Sequence, residues 1–328
     1  FGEAAEVAEG VLWLRLPLPM ALDHVNVFAL DDGDGWTLID TGIGTKRGRE
    51  VMEAALAGPL AGKPVRRVLV THHHPDHIGL AGWFMAQGAE LLTTRTAYLM
   101  ARMLALDVQD RPVDEAMAFY RSAGASAQVL KKRAEERPFN FADVIAPLPL
   151  GFTRIGHGET LTISGRRWDV RVGHGHAPEH ATLWSRDDDL ILGGDQLLPS
   201  ISPNLGVYPT EPEADPVADW LAACRGFQPL ARETHYVLPG HKLPFYGLPT
   251  RLEQLIENHV SALDRLEAAL ATPAVAGETF LPIFKRPIRT AEYGLALVEA
   301  FAHCQHLWKT GRVSRSQRAD GAFVYAQL

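Results

Sequence analysis

Residues 68 to 82 read Val-Leu-Val-Thr-His-His-His-Pro-Asp-His-Ile-Gly-Leu-Ala-Gly, and this stretch decides the fold. Its β-branched, apolar start predicts a buried strand, and the glycines at its end predict the start of a helix. Between them His72, His74, Asp76 and His77 form the pattern H-x-H-x-D-H. The sequence therefore places four side chains that can bind a metal within six residues, in one loop.

The spacing of these side chains explains how one loop can serve two metal ions. Side chains alternate along an extended chain, so His72 and His74 project to the same side and can bind one ion, whereas His73 points away. The proline that follows ends the strand and turns the chain, so Asp76 and His77 can face a second position. A surface histidine cluster or an expression tag fits less well, because a tag would be terminal and would not follow a buried strand.

The composition is that of a globular protein. The chain has 328 residues, of which 46% are hydrophobic and 22% charged, enough for one large and one small domain. No apolar run approaches the roughly 20 residues of a membrane helix, which predicts no membrane partner. The two cysteines, Cys224 and Cys304, argue against a disulfide framework and favour a reducing compartment, by default cytoplasmic. The chain begins at Phe1 without an intact signal peptide, and a removed one stays compatible with the sequence.

Strands and helices alternate along the first part of the chain, which predicts a layered α/β protein. A helical insertion at about residues 95–146 interrupts this order, and insertions of this length form lids or substrate-binding walls or simply pack on the core. Strands are predicted at residues 11–16, 25–30, 36–39, 65–70, 159–163, 167–172, 181–185, 190–195 and 236–238, and helices at 46–60, 96–106, 114–123 and 125–136.

From about Pro249 onward the composition becomes helical. The predicted elements are a helix at residues 251–270 with Thr250 as its N-cap, a helix at 291–307, and a β-hairpin of residues 311–313 and 322–325. The apolar stripe of the first helix favours a core position over a partner surface. The sequence thus predicts a larger α/β domain at residues 1–248 and a small, mainly helical domain at residues 249–328.

Further candidate ligands follow the later strands: His176, Asp195 and His241. Strand ends that meet at one edge of a sheet bring distant side chains together. Three neutral imidazoles suit one zinc ion, and a second ion can be held beside it with a carboxylate bridging the two. The expected sets are His72, His74 and His176 for one ion and Asp76, His77 and His241 for the other, with Asp195 as the bridge.

Four motifs in this order resemble those of the metallo-β-lactamase-fold hydrolase superfamily. They are the H-x-H-x-D-H pattern, Gly175-His176-Ala177-Pro178, Gly194-Asp195 and Pro239-Gly240-His241, and the match spans residues 5 to 248. The resemblance implies an αββα four-layer sandwich, in which two β-sheets pack face to face with helices outside. It also implies that Asp40, in Asp40-Thr41-Gly42, supports the ligand loop instead of binding metal.

The resemblance implies a reaction as well. Two metal ions about 3.5 to 4 Å apart lower the pKa of a shared water, and the bridging hydroxide attacks a carbonyl or phosphorus centre. By the same resemblance Asp76 is the catalytic carboxylate that orients the hydroxide and later carries a proton. Two zinc ions are expected, although the same nitrogen and oxygen donors also accept iron or manganese.

The other histidines are assigned lesser roles. Ala177-Pro178 favours His176 over His174 as a ligand, and His180 is expected behind the ligands or facing the substrate. The remaining histidines are predicted to be surface or core residues: His24, His157, His235, His259, His303 and His306. For His24 and His157 an active-site contact stays open.

Fold and metals alone do not choose a substrate. The apolar insertion and the loop at residues 197–204 predict an enclosed, partly apolar pocket, which favours a small-molecule ester, thioester or lactone. The C-terminal helices and hairpin, with Leu307, Gly311 and Val313, resemble the winged-helix-like tail of the β-lactamase-like protein 2 branch. That branch includes an endoribonuclease and acyl-carrier-protein thioesterases, so a thioesterase-like enzyme fits the resemblance.

The alternative is a metal-dependent nuclease or phosphodiesterase whose basic tail guides phosphate. Residues 281–328 carry seven basic and three acidic side chains, but the whole chain has a net charge of −7, which disfavours a nucleic-acid partner. A non-enzymatic binding module with a vestigial site is poorly supported, because no ligand position is substituted. Apolar residues of the insertion are also compatible with a homodimer.

Overall fold

Fifteen strands and ten α-helices make up the chain, which the computed structural model describes over residues 1–328. The strands are β1 (Ala4–Ala8), β2 (Val11–Pro17), β3 (His24–Asp31), β4 (Trp36–Ile39), β5 (Val65–Leu69), β6 (Glu90–Thr93), β7 (Thr153–Arg154), β8 (Thr160–Ile163), β9 (Arg166–Gly173), β10 (His180–Ser185), β11 (Leu190–Gly194), β12 (Tyr236–Pro239), β13 (Ala274–Val275), β14 (Val313–Gln317) and β15 (Phe323–Gln327). The helices are α1 (Lys46–Ala57), α2 (Pro75–Ile78), α3 (Ala81–Met85), α4 (Arg95–Leu106), α5 (Asp114–Ser122), α6 (Ala127–Glu135), α7 (Pro216–Phe227), α8 (Leu248–Ala269), α9 (Phe280–Phe284) and α10 (Tyr293–Lys309).

Each predicted strand and helix has a counterpart, and the structure adds β1, β6, β7, β13, α7 and α9. The largest shift is in the first strand of the C-terminal hairpin, which the sequence predicts at residues 311–313 and which runs over Val313–Gln317. The predicted N-cap of α8 is wrong. This helix begins at Leu248, so Thr250 lies inside its first turn. Gly247 precedes it with a φ of 81°, a conformation that glycine adopts without a Cβ clash, and the chain therefore turns into the helix earlier than expected.

The chain forms two compact units, each discontinuous in sequence. The first consists of Phe1–Val108, Phe139–Ile201 and Ala231–Pro249, and the second of Gln109–Pro138, Ser202–Leu230 and Thr250–Leu328. Segments of the insertion expected at residues 95–146 belong to both units. The predicted domain boundary after residue 248 stays a prediction.

Two β-sheets build the first unit. The seven-stranded sheet has the order β1-β2-β3-β4-β5-β6-β7, and the five-stranded sheet has the order β12-β11-β10-β9-β8. Strand β5 runs parallel to β4, and β12 runs parallel to β11. Because parallel strands end at the same edge of a sheet, the loops after β4 and β5 are neighbours, and so are the loops after β11 and β12.

Strand β3 shows how the layers are held together. It is an almost fully buried apolar strand whose alternate side chains enter two different cores. Val25 and Val27 pack in one core with residues of α1, α3 and α4, whereas Phe28 and Leu30 pack in the other with the five-stranded sheet. The second core, which includes the fully buried Trp168, therefore lies between the two sheets.

The second unit has its own core around α10. Phe301 of this helix contacts the ring of Phe119 at a centroid distance of 5.5 Å and that of Phe323 at 6.4 Å. The predicted C-terminal hairpin is confirmed, since β14 and β15 pair antiparallel, and β13 completes a three-stranded sheet. Cys224 and Cys304 are both buried free thiols. None of the helices combines the length and hydropathy that a membrane-spanning segment requires.

Candidate metal centre

Three histidine nitrogens converge at the end of β5. His72 Nε2 lies 3.0 Å from His74 Nδ1, which in turn lies 3.1 Å from His176 Nε2 in the loop after β9. The loop is bent between Thr71 and His74, and α2 begins at Pro75, a residue suited to the first position of a helix. The structure thus brings together the three histidines expected to share an ion.

A second cluster lies next to the first. Asp76 Oδ2 is 3.6 Å from His77 Nε2 and 3.4 Å from His241 Nε2. His241 is the second residue after the end of β12. The ligand atoms of these three residues lie within 4.8 Å of one another. The parallel pairing of β12 with β11 places His241 beside the Gly194-Asp195 loop.

Asp195 lies between the two clusters. Its Oδ1 is 3.5 Å from His77 Nε2, while its Oδ2 is 3.4 Å from His176 Nε2 and 3.2 Å from His241 Nε2. One carboxylate therefore contacts the edges of both groups. This is the arrangement that a bridging ligand requires.

The nitrogen and oxygen atoms of the two clusters are arranged better for binding a metal than for hydrogen bonding to one another. His74 Nδ1 lies about 3 Å from the ring nitrogens of both His72 and His176, but a neutral ring nitrogen takes part in one hydrogen bond as a donor or an acceptor, so it cannot pair fully with both. His77 Nε2 and Asp195 Oδ1 are buried without a hydrogen-bond partner, although buried polar atoms are nearly always paired. Cations placed between these nitrogen and oxygen atoms would give the atoms of both clusters a binding partner.

The two clusters differ in their electrostatics. Burial, reinforced by neighbouring histidines, holds the pKa of His72 and of His74 well below its usual value. Burial alone would also lower the pKa of His77 and of His241, but nearby carboxylates, Asp195 first, raise the pKa of His77 well above its usual value and that of His241 to about 10. The carboxylates that stabilise a proton on these rings would equally stabilise a metal cation.

Asp40 positions the ligand loop and one of its histidines. Its carboxylate accepts hydrogen bonds from Thr71 N–H at 2.8 Å, from Thr71 Oγ1 at 3.0 Å, and from His77 Nδ1–H at 2.8 Å. The proton on Nδ1 leaves His77 Nε2 with a free lone pair that faces the cluster. The supporting role expected for Asp40 is therefore found.

His241 is held by His24, for which the sequence left an active-site contact open, and by Asn26, which the sequence did not single out. Its Nδ1–H donates to His24 O at 2.8 Å, which fixes Nε2 as the inward-facing atom. The Asn26 amide donates to Pro239 O at 2.8 Å and to Lys242 O at 2.9 Å. It therefore binds the backbone on both sides of His241 in the sequence. Asparagine in the middle of a buried strand is the sequence signal that could have identified it.

The remaining histidines of the loops lie outside the clusters. His180 is fully buried, stacks on His72 at 4.5 Å, and accepts a hydrogen bond from Asp195 N–H at 3.0 Å. His174 is exposed and accepts from Glu179 N–H at 3.3 Å, beside a polar cavity of about 340 Å³. His73 belongs to none of the ligand groups, and its ring stacks on that of Phe141 at a centroid distance of 6.3 Å.

Histidine and carboxylate clusters at one edge of a two-sheet sandwich define a metal-dependent hydrolase. The chain belongs to the metallo-beta-lactamase superfamily, whose family profile matches residues 20–277. The profile of the metallo-beta-lactamase-like C-terminal domain matches residues 263–328. The predicted superfamily and fold class are therefore confirmed, while the winged-helix description of the tail stays a prediction.

Three relatives agree with this assignment. The probable metallo-hydrolase YqjP of Bacillus subtilis (strain 168) is 28% identical over 253 residues, which cover 75% of this chain and 76% of that protein. A beta-lactamase domain protein from Burkholderia ambifaria is 35% identical, with a TM-score of 0.89 over 100% of this chain and 94% of that one. The metallo-beta-lactamase family protein TTHA1429 from Thermus thermophilus is 28% identical, with a TM-score of 0.80 over 98% of this chain and 100% of that one.

Replacing Asn26 should weaken metal binding at His241. The Asn26→Leu variant keeps the size of the side chain but removes the two bonds to the His241 turn and the acceptor for Trp13 Nε1. We expect metal affinity to fall about 10- to 100-fold, the usual cost of losing an outer partner of a ligand. Competition with a chromophoric chelator measures the affinity of the folded protein.

Thr182→Val is the matched control. Thr182 is a buried residue of β10, and its hydroxyl donates to Arg171 O of β9 at 2.9 Å. This control should lower the melting temperature without changing metal affinity. If Asn26→Leu also lost only thermal stability, the positioning role of Asn26 would be refuted.

Proposed function

We propose that this hydrolase uses two metal ions to cleave a small-molecule ester, thioester or lactone. The observation that carries the dinuclear part is the Asp195 carboxylate, whose oxygens lie within 3.5 Å of ring nitrogens in both clusters. Nitrogen and carboxylate donors without thiolate suit zinc, and iron or manganese would fit the same set.

In this proposal each cluster holds one ion. The first would be held by His72, His74 and His176, the second by Asp76, His77 and His241, and Asp195 would contact both. When bound, such ions lower the pKa of a water and polarise the scissile carbonyl. His180 and Asp40 keep the ligands in place through the hydrogen bonds and ring contacts described above.

Asp76 is the carboxylate that reaches the substrate side of the centre. Its side chain is 19% exposed, compared with 7% for Asp195, so Asp76 is the more accessible of the two. A carboxylate in this position can accept a proton from the attacking water and return it to the leaving group. Asp76 is therefore proposed to act as both ligand and proton carrier.

The substrate class is supported by an aromatic path that leads to the ligand loop. Phe139 is 68% exposed, and its ring lies 5.9 Å from that of Phe141. Phe141 stacks on His73, whose ring lies 4.6 Å from that of His74. Exposed aromatic rings beside a polar centre favour a substrate with an apolar acyl group.

The basic tail does not favour the nuclease alternative. Four of its seven basic side chains are paired with carboxylates or stacked on rings within the second unit, which leaves less positive potential for a phosphate backbone. The pairs are Arg286 with Glu292, Arg312 with Asp264 and Glu267, and Arg318 with Asp320, and Arg315 lies over the rings of Trp308 and Phe323.

A substrate panel on the metal-loaded protein tests the proposed class. We expect turnover of acyl thioesters, lactones or aryl esters, with a KM that changes little with salt, and loss of activity on chelation that added zinc restores. Bis(p-nitrophenyl) phosphate and single-stranded RNA serve as the opposing substrates. Turnover of these phosphodiesters alone, with steep salt dependence, would contradict the proposal.

Asp76→Asn should reduce kcat about 10²- to 10⁴-fold, because the amide cannot carry the proton. The measurement is kcat at saturating zinc together with the bound metal of the same sample. Asp187→Asn is the control, since Asp187 is a turn carboxylate paired with Arg167. Full activity with unchanged metal content, or full rescue by excess zinc, would show that Asp76 does not carry the proton.

Phe139→Ala should raise KM for a long-chain acyl thioester about tenfold, which corresponds to about 1.4 kcal/mol of lost binding. The KM for an acetyl thioester should stay unchanged, because the short acyl group does not reach the ring. Leu281→Ala is the control, since Leu281 is 67% exposed and lies in the second unit. An equal change for both chain lengths would contradict the acyl contact.

A further inference from the structure

The second unit contains a histidine and carboxylate cluster that the proposed reaction does not use. Helix α8 contributes His259, and helix α10 contributes Glu299 and His303, which are four residues apart and therefore lie on one face of the helix. One ligand atom of each residue lies within 4.8 Å of the others. None of the four superfamily motifs includes these residues.

We propose that His259, His303 and Glu299 form an additional metal site that takes a divalent ion of the zinc class. The distance between His259 Nδ1 and His303 Nε2 is 3.2 Å. Two nitrogens bound to one tetrahedral zinc at 2.0–2.1 Å lie about 3.4 Å apart. The pair is therefore already spaced as two ligands of one ion.

The outer nitrogens of both rings are held by oxygens. His303 Nδ1–H donates to Glu299 O at 2.8 Å, and His259 Nε2 lies 2.9 Å from Ser202 Oγ. Such outer partners are characteristic of metal-binding histidines, because they orient the ring and place the lone pair inward. The same contacts also make a chain of neutral hydrogen bonds, in which His259 Nδ1–H donates to His303 Nε2.

Metal binding requires a change of tautomer at His259. Its proton must move from Nδ1 to Nε2, where Ser202 Oγ then accepts a hydrogen bond instead of donating one. The serine hydroxyl can donate or accept, so His259 keeps its outer partner in either tautomer. The hydrogen-bonded chain therefore already holds the two imidazoles near the spacing of two ligands of one ion, and the Glu299 carboxylate lies within 4.8 Å of them.

Glu299 supplies a carboxyl group that has no cationic partner. It is half-buried and accepts a hydrogen bond from Asn204 Nδ2–H at 2.8 Å, but it forms no ion pair with Lys or Arg. A carboxylate that is partly removed from water is stabilised by a nearby positive charge or by several donors. A divalent ion between Glu299 and the two rings would supply that charge.

A cavity of about 170 Å³ adjoins the three residues and gives an ion access to them. Arg265 and Lys285 line the same cavity and oppose a cation there. However, the guanidinium of Arg265 donates to Pro282 O at 2.8 Å and Ile283 O at 3.2 Å, which draws it to the backbone. The fourth coordination position would face this cavity and take a water or a small anion.

Metal stoichiometry of the full chain tests this site independently of hydrolysis. Protein stripped of metal is incubated with excess zinc, desalted, and analysed by mass spectrometry for bound metal. We expect Glu299→Gln and His259→Gln each to retain one ion fewer per chain than the unchanged protein, with hydrolase turnover preserved. The control His306→Gln removes a histidine of α10 that contacts Asp215, and it should retain the full number.

Glu299→Gln is the decisive variant, because glutamine keeps the size of the side chain and still accepts from Asn204. If His259→Gln fails to give a cooperative thermal transition, the comparison rests on Glu299→Gln alone. Histidine nitrogen NMR gives a second readout, since zinc should move the His259 proton from Nδ1 to Nε2. Equal metal content in the unchanged protein, Glu299→Gln and His306→Gln would overturn the proposal, whatever the activity proves to be.

Discussion

The carboxylate of Asp40 is the contact on which the rest of the metal centre depends. It joins the end of β4 to the ligand loop after β5 through Thr71 and to the second cluster through His77. Asp40 has a φ of 61°, a strained conformation for a residue with a Cβ, of the order of 1–3 kcal/mol. Three buried hydrogen bonds to a charged acceptor offset that cost, so the strained turn and the ordered loop stabilise each other.

Parallel strand pairs and glycines then bring the remaining ligands to the same edge. The pair of β4 with β5 and the pair of β11 with β12 give two pairs of neighbouring loops. Residues of these loops that are more than a hundred positions apart are in contact, namely His77 with Asp195 and Asp76 with His241. The approach is so close that a Cβ on Gly240 would lie 2.3 Å from Asp195 Oδ1. Glycine before His241 is thus a steric requirement of the centre.

These constraints also explain what could be predicted from the sequence. Most of the strands and helices and the first-unit clusters were predictable, because H-x-H-x-D-H is local and each later ligand follows an apolar strand. Asn26 and Phe139 were not, because their roles arise from partners that only the folded chain brings near. For the same reason His259 and His303, on different helices, were read as ordinary surface or core histidines. Thr250 failed as an N-cap because Gly247 allows the helix to start earlier.

The two histidine groups are similar in chemistry and differ in charge. In both, ring nitrogens face each other at 3.0–3.2 Å, and outer nitrogens are anchored by oxygens. In the first-unit clusters Asp76 and Asp195 supply two negative charges, the charge of one divalent ion. The group of α8 and α10 has Glu299 alone, and its cavity wall is basic. Since a divalent ion in a buried site needs nearby negative charge, the carboxylates, more than the imidazoles, would limit how many ions each group could hold.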